Sequence, residues 1–170
     1  MSACNLQIIG YKTLTKNIVG SSTELQVTTE HMNVSSSSNN QKIFNLWRHF
    51  MMNNYLKLLP YCVDENIIAL EEPMTRNHFR KWAAIEIASN AEYSTQTDCL
   101  EKLTINGEYF GFIHTGTALQ FNQVYQQAID YLRNNNIKID KNRPRLEIMH
   151  RDYLPDNPLS KEEFWIPIIM

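Results

Sequence analysis

The sequence predicts an α+β fold built from two copies of a strand–helix–strand–strand unit. Two stretches, at 41–59 and 119–136, repeat their apolar residues at the three- and four-residue steps of a helix. Around them lie stretches with the β-branched and aromatic composition of strands. The resulting order is βαββ followed by βαββ. The helices align Trp47 with Tyr125, and the strands after them align Ile67 with Leu146, an offset near half the chain both times. The repeat is one of pattern, with no residue identity kept between the halves. Antiparallel sheets with helices segregated to one face make such a layer architecture. The expectation is a single domain over residues 1–170, its first unit at about 5–90 and its second at about 100–170. Each unit contributes a small antiparallel sheet with a helix on it, the two related by a pseudo-two-fold axis.

Each element has its own signal. Residues 6–27 are rich in Ile, Val, Thr and Leu with Gly punctuation, which reads as one long bent strand or a strand pair. "NVSSSSNN" (33–40) reads as a flexible polar loop. The helix at 41–59 presents Ile43, Trp47, Phe50, Met51, Tyr55 and Leu58 on one face, and Pro60 closes it. "NIIALEEP" (66–73) and "RKWAAIEIAS" (80–89) are strands, and "LTINGEYFGFIHTG" (103–116) is a long aromatic one. The helix at 119–136 gathers Phe121, Val124, Tyr125, Ala128 and Leu132, and "RPRLEIMH" and "EEFWIPIIM" close the chain as strands.

Bulk composition narrows the function classes. The chain has 170 residues, 43% hydrophobic and 20% charged, enough to bury a core. A formal net charge of −2 argues against nucleic acid as a direct partner of the whole chain and against a basic membrane-binding surface. Cys4, Cys62 and Cys99 give neither a disulfide framework nor a CxxC pair, which points to a reducing compartment. "MSACNLQIIG" lacks the pattern of a signal peptide, and no apolar run approaches the ~18 residues of a membrane helix. The expected location is the cytoplasm.

Glu147 stands out, a carboxylate in the middle of the strand-like "RPRLEIMHRDY". A buried carboxylate is costly unless paired. Strand side chains alternate faces. If Leu146 and Ile148 pack under the second helix, Arg145, Glu147 and Met149 point the other way, into a groove on the helix-free face. Phe164, Ile166 and Ile168 then share one face of the last strand, and Trp165, Pro167 and Ile169 the other. The expected ligand-binding residues are Glu147 with Trp165, Tyr109 and Trp82 as walls. Aromatic walls and a counter-charge suit a lipophilic or cationic ligand. The alternative is that Glu147 ion-pairs with Arg143, Arg145 or Arg151 at a solvated surface.

The order of these motifs resembles the GyrI-like small-molecule-binding family, the bacterial transcription activator effector-binding domain, over nearly the whole chain. "IFNLWRHFM" is similar to the family's "LW-x-x-F" helix. "LTINGEYFGFIHTG" is similar to its "IPAGKYAVFxHxG" strand through Ile105, Gly107, Tyr109, Phe112, His114 and Gly116. "PRLEIMHRDY" resembles its "P-x-F-E-x-Y" strand through Pro144, Leu146 and Glu147, and "EEFWIPII" its closing strand. Met149 stands where the family usually has Tyr, and "TINGEY" replaces its Pro-Ala. The resemblance implies that Glu147 is the groove carboxylate facing lipophilic cations, that Trp165 lines the same groove, and that Tyr109 follows more loosely. It also implies a role. Members fused to a helix-turn-helix sense effectors, and both helices here carry core-type faces, leaving no room for one. A stand-alone member is a ligand sensor or sequestering protein. Two alternatives stay open: a hydrolase of cyclopropane-type or other electrophiles with Glu147 as the base, and an interaction protein inhibiting a macromolecular target such as gyrase. Binding is favoured over turnover.

The other constellations are bland. His31, His49, His78, His114 and His150 show no metal-ligand spacing, so no metal and no cofactor are expected. His114 reads as a hydrogen-bonded core or edge histidine, and Cys62 and Cys99 as inert thiols. The Glu-Glu pairs at 71–72 and 162–163 read by default as solvated charges on strand or loop ends, with acid/base work as the alternative for a pair that enters the groove.

Overall fold

The computed structural model describes residues 5–26, 37–75, 77–92 and 99–170. The first strand-like stretch is one continuous strand, β1 (Asn5–Gln26). A helix, α1 (Ser37–Asn53), follows, with a one-turn helix, α2 (Tyr55–Leu58), and a 3-10 turn at Leu59–Tyr61. Then come β2 (Asn66–Thr75), β3 (His78–Ile87), β4 (Glu101–Thr115), α3 (Phe121–Asn134), the short β5 (Lys138–Ile139), β6 (Arg145–His150) and β7 (Lys161–Ile169). The α+β class is as expected; the first half runs strand–helix–strand–strand, with the short α2 after α1, whereas the second half carries three strands after α3, the short β5 being the extra one.

The sheet is antiparallel, and its pairing order β4-β1-β3-β2-β6-β7-β5 closes on itself because β4 also pairs with β7. β1 is long enough to serve two neighbours, Asn5–Gly20 lying along β4 and Asn17–Gln26 along β3. The halves meet through β2–β6, where Ala69 faces Glu147, and through β4–β7, where Gly111 faces Trp165. The two sheets expected from the sequence are therefore one continuous ring.

Closure gives the sheet an inside. Leu14, Ile18, Ile68, Leu70, Trp82, Ala84, Ile105, Tyr109, Leu146 and Trp165 form a buried cluster on the helix-free face. Both helices lie outside. α1 packs on β1 and β3, and Leu46 and Phe50 join Val19, Ala69, Ala83, Ile85 and Met149. α3 packs on β4 and β5, and Val124, Ala128 and Leu132 join Phe110, Phe112, Phe164 and Ile166.

Two boundaries differ from the sequence reading. The polar run at 37–40, expected as loop, is the first turn of α1, held by Asn39 Nδ2 donating to the Gln26 carbonyl at 3.0 Å. Residues 33–36 of that expected loop lie outside the described residues, as do Cys4 and His31. The expected helix at 41–59 divides at Asn54, a residue of low helix propensity lying between α1 and α2. Among the described residues, no helix is long and apolar enough to cross a membrane.

Candidate functional site

β2 and β6 form the floor between the two helix-covered regions, and three rows of side chains cross it on the helix side. The first runs Lys81 (β3), Glu71 (β2), Arg145 (β6). The second runs Ala83, Ala69, Glu147 and Phe164. The third runs Ile67, Met149, Glu162 and His114. The alanines put small side chains beside Glu147, while Phe121 and Tyr125 on α3 stand over Arg145.

The charges in these rows are paired and largely removed from water. The Glu147 side chain is 13% exposed; Arg145 Nη2 donates to its Oε1 at 3.0 Å, and Lys81 Nζ lies 3.9 Å from its Oε2. Arg145 Nη2 also donates to Glu71 Oε2 at 2.6 Å. Burial works to raise the Glu71 carboxyl, but Arg145 and Lys81 outweigh it and hold it below the usual carboxylate range. Burial works against the Arg145 charge too, and Glu71 and Glu147 reverse the balance, so its guanidinium holds its proton more firmly than usual.

Glu162 differs. Its side chain is 5% exposed, and its Oε1 lies 3.0 Å from His114 Nδ1. Burial, reinforced by the Glu147 charge and only partly offset by Lys81 and Arg145, pushes it up to about 8. Burial pushes His114 down. The pair is therefore uncharged at neutral pH, with Glu162 carrying the proton and His114 Nδ1 accepting it. The other ring nitrogen, Nε2, is buried without a hydrogen-bond partner. Tyr153 completes this end. Burial pushes its hydroxyl up, with Glu162 and Glu147 adding to the effect, and it borders a hollow of about 310 Å³ lined also by His150, Asp152, Asn157 and Lys161.

The residues expected to share a groove do not. Glu147 lies on the helix side, whereas Trp82, Tyr109 and Trp165 are buried inside the ring with Leu146 and partly buried Ile148. The alternation along each strand is as read; the faces are exchanged, because β4–β7 pairing buries the face expected to be open. The aromatics are anchored there. Trp82 Nε1 donates to Glu72 Oε2 at 2.9 Å and the Tyr109 hydroxyl to the Pro144 carbonyl at 2.9 Å. Glu147 is likewise no solvated partner of an arginine, and its arginine is Arg145 alone among the three considered. The solvated reading of the Glu-Glu pairs is corrected at Glu71 and Glu162, which point into the floor. Lys81, Phe121, Tyr125 and Tyr153 also belong to the site. Phase was the signal for Glu71, which follows Ile67 and Ala69 at two-residue steps, and an i, i+4 aromatic pair was the signal on α3.

Among the described residues, no group of three or more His, Cys, Asp or Glu side chains is placed to hold a metal ion. Cys62 and Cys99 are free thiols. Burial pushes Cys62 up to about 11, with Asp64 adding to it, which leaves it a poor nucleophile.

Comparison with known proteins finds likeness in structure alone. No protein-family model and no curated protein matches the sequence. SAV2435, solved bound to tetraphenylphosphonium, superposes with a TM-score of 0.68 at 16% identity, over 98% of this chain and 93% of that one. An integron cassette protein from Vibrio cholerae gives 0.63 at 18% identity, over 97% and 99%. A hydrolase from Listeria innocua gives 0.52 at 9%, over 98% and 91%. These likenesses establish that the chain has the fold of SAV2435 and of the cassette protein from end to end.

Proposed function

We propose that this protein is a GyrI-like binder of lipophilic organic cations, a sensor or sequestering protein, and that the ligand lies on the β2–β6 floor with Glu147 as its counter-charge. The observation that carries the reading is the carboxylate itself. Glu147 is largely withdrawn from water on a floor flanked by two apolar clusters, with aromatic side chains of α3 and Tyr153 at either end. Flat apolar surface and a desolvated negative charge recognise a large, weakly hydrated cation. The tetraphenylphosphonium bound by SAV2435 has that chemistry, and the shared fold makes it the first probe.

The test is calorimetric titration of tetraphenylphosphonium into wild type and Glu147→Gln, with thermal shift alongside. Saturable binding by wild type, stabilising it by ~2.7 kcal/mol at a hundredfold excess over Kd, and weakened at least tenfold in the variant, is the expected result. Equal binding by both would remove Glu147 from the site. Absence of binding by wild type would overturn the reading.

A further inference from the structure

The cation site just described already holds a cation. The Arg145 guanidinium carbon lies 4.2 Å from the Tyr125 ring centroid and 5.4 Å from that of Phe121. Those two rings, one helical turn apart on α3, are stacked 5.9 Å apart and 21° from coplanar, so they form a single platform. Glu71 and Glu147 flank the same guanidinium. Aromatic faces with carboxylates beside them are how an organic cation is recognised, and here a tethered side chain satisfies that chemistry.

Its hold is incomplete. Both carboxylates are contacted through one nitrogen, Nη2, so the paired fork that makes arginine–carboxylate contacts strong is not used. Arg145 Nε is buried with no hydrogen-bond partner, so its desolvation goes uncompensated where it sits. With Glu162 protonated, the floor balances two carboxylates, Glu71 and Glu147, against Lys81 and Arg145. A ligand cation added to this set would leave an unbalanced buried positive charge. Exchanging it for the guanidinium would not, and the Arg145 side chain, 17% exposed, is not fully enclosed.

We propose that Arg145 is a built-in competitor that occupies the cation subsite over Tyr125 and Phe121, and that a monocationic aromatic ligand binds by displacing it. The inference rests on the cation-binding reading above and adds what the ligand must overcome. Arg145 sets a threshold: poorly stacking cations such as ammonium or small alkylammonium ions do not displace it, and dications bind worse than monocations because they unbalance the floor.

The test compares tetraphenylphosphonium binding to wild type, Arg145→Met and Arg145→Met/Glu147→Gln by titration calorimetry. Methionine keeps the apolar stem and removes the charge. Arg145→Met should bind at least tenfold more tightly than wild type, and the double variant should lose that gain. A readout on wild type alone guards against a misfolded variant. The Arg145 Nε–H resonance should start displaced by the Tyr125 ring and move to the free-arginine position at saturation. Binding by wild type with that resonance unmoved and no gain in Arg145→Met overturns the inference and leaves the cation-binding reading standing. Binding by Arg145→Met alone upholds the occupancy and overturns the reading that wild type is a cation binder. Absence of binding by all three overturns both.

Discussion

Raising the pH from about 6.5 to about 8 is expected to cost this protein about 2 kcal/mol of stability through one buried proton. In the folded chain Glu162 keeps its proton up to about 8 and His114 stays neutral below its ordinary 6.5. In the unfolded chain the same groups titrate near 4.5 and 6.5. Just below 6.5 each state holds one proton on the pair, the folded state on Glu162 and the unfolded state on His114, so the pair contributes little slope there. Above 6.5 the unfolded chain has lost its proton while the folded chain keeps one. The folded state then binds more protons, and stability falls as pH rises. One proton over about 1.5 pH units, at about 1.4 kcal/mol per unit, gives the stated loss. The assay is urea denaturation from about pH 5.5 to about 8.5 on wild type and Glu162→Gln, in which the amide keeps the shape and still donates to His114 Nδ1. The difference in unfolding free energy, wild type minus variant, should fall by about 2 kcal/mol between pH 6.5 and 8. Parallel profiles between 6.5 and 8 would refute the assignment of a proton to this pair.

Two substitutions test the ring. A Cβ at Gly111 would lie 2.4–2.6 Å from three carbons of the Trp165 indole, which is itself buried, so Gly111→Ala should cost about 1–3 kcal/mol in denaturant; an unchanged midpoint would show that Trp165 has room to move. Arg143 Nη2 donates to the carbonyls of Ile168 at 2.6 Å and Glu108 at 3.0 Å, and Nε donates to Asp140 at 2.8 Å, tying β4 to β7 at the closing seam. Arg143→Ala should cost about 2–3 kcal/mol and let the Asp140 carboxyl, held low by the Arg143 hydrogen bond, rise toward its ordinary range in an NMR titration.

Much of the fold was legible because it depends on period. Strand alternation put Arg145, Glu147 and Met149 on one face and Leu146 and Ile148 on the other, and the structure keeps that division. Period says nothing about which face a helix will cover, and that is where the reading of the site failed. The face is decided by contacts between β4 at 109–115 and β7 at 161–167, far apart in sequence and with no local signature. The same ignorance turned Trp82, Tyr109 and Trp165 from core into expected walls. Glu71 and Glu162 were passed over because a Glu-Glu pair reads as surface, yet in a strand the two carboxylates must point to opposite faces, and one of each pair enters the floor. The 3-10 turn at Ala118–Gln120 that leads into α3 had a readable signal in Thr117 and Gln120, whose side chains cap each other's backbone N–H groups. The turn at 37–40 did not, since its stability comes from Asn39 reaching Gln26 across the fold.

The position of the charges argues for their use. The ring encloses two tryptophans, a tyrosine and seven aliphatic residues, every strand except β5 contributing at least one side chain, so cohesion of the sheet does not depend on what lies between the helices. A floor of apolar side chains in place of Lys81, Glu71, Arg145 and Glu147 would be at least as stable, because desolvating paired charges roughly cancels their attraction. Stability alone therefore gives no account of four ionised groups, one of them an under-bonded guanidinium, and a protonated carboxyl gathered on one strip. Exchange of one cation for another does. It requires a balanced set of charges that tolerates substitution and a scaffold whose core lies on the other side of the sheet and stays packed while the strip rearranges.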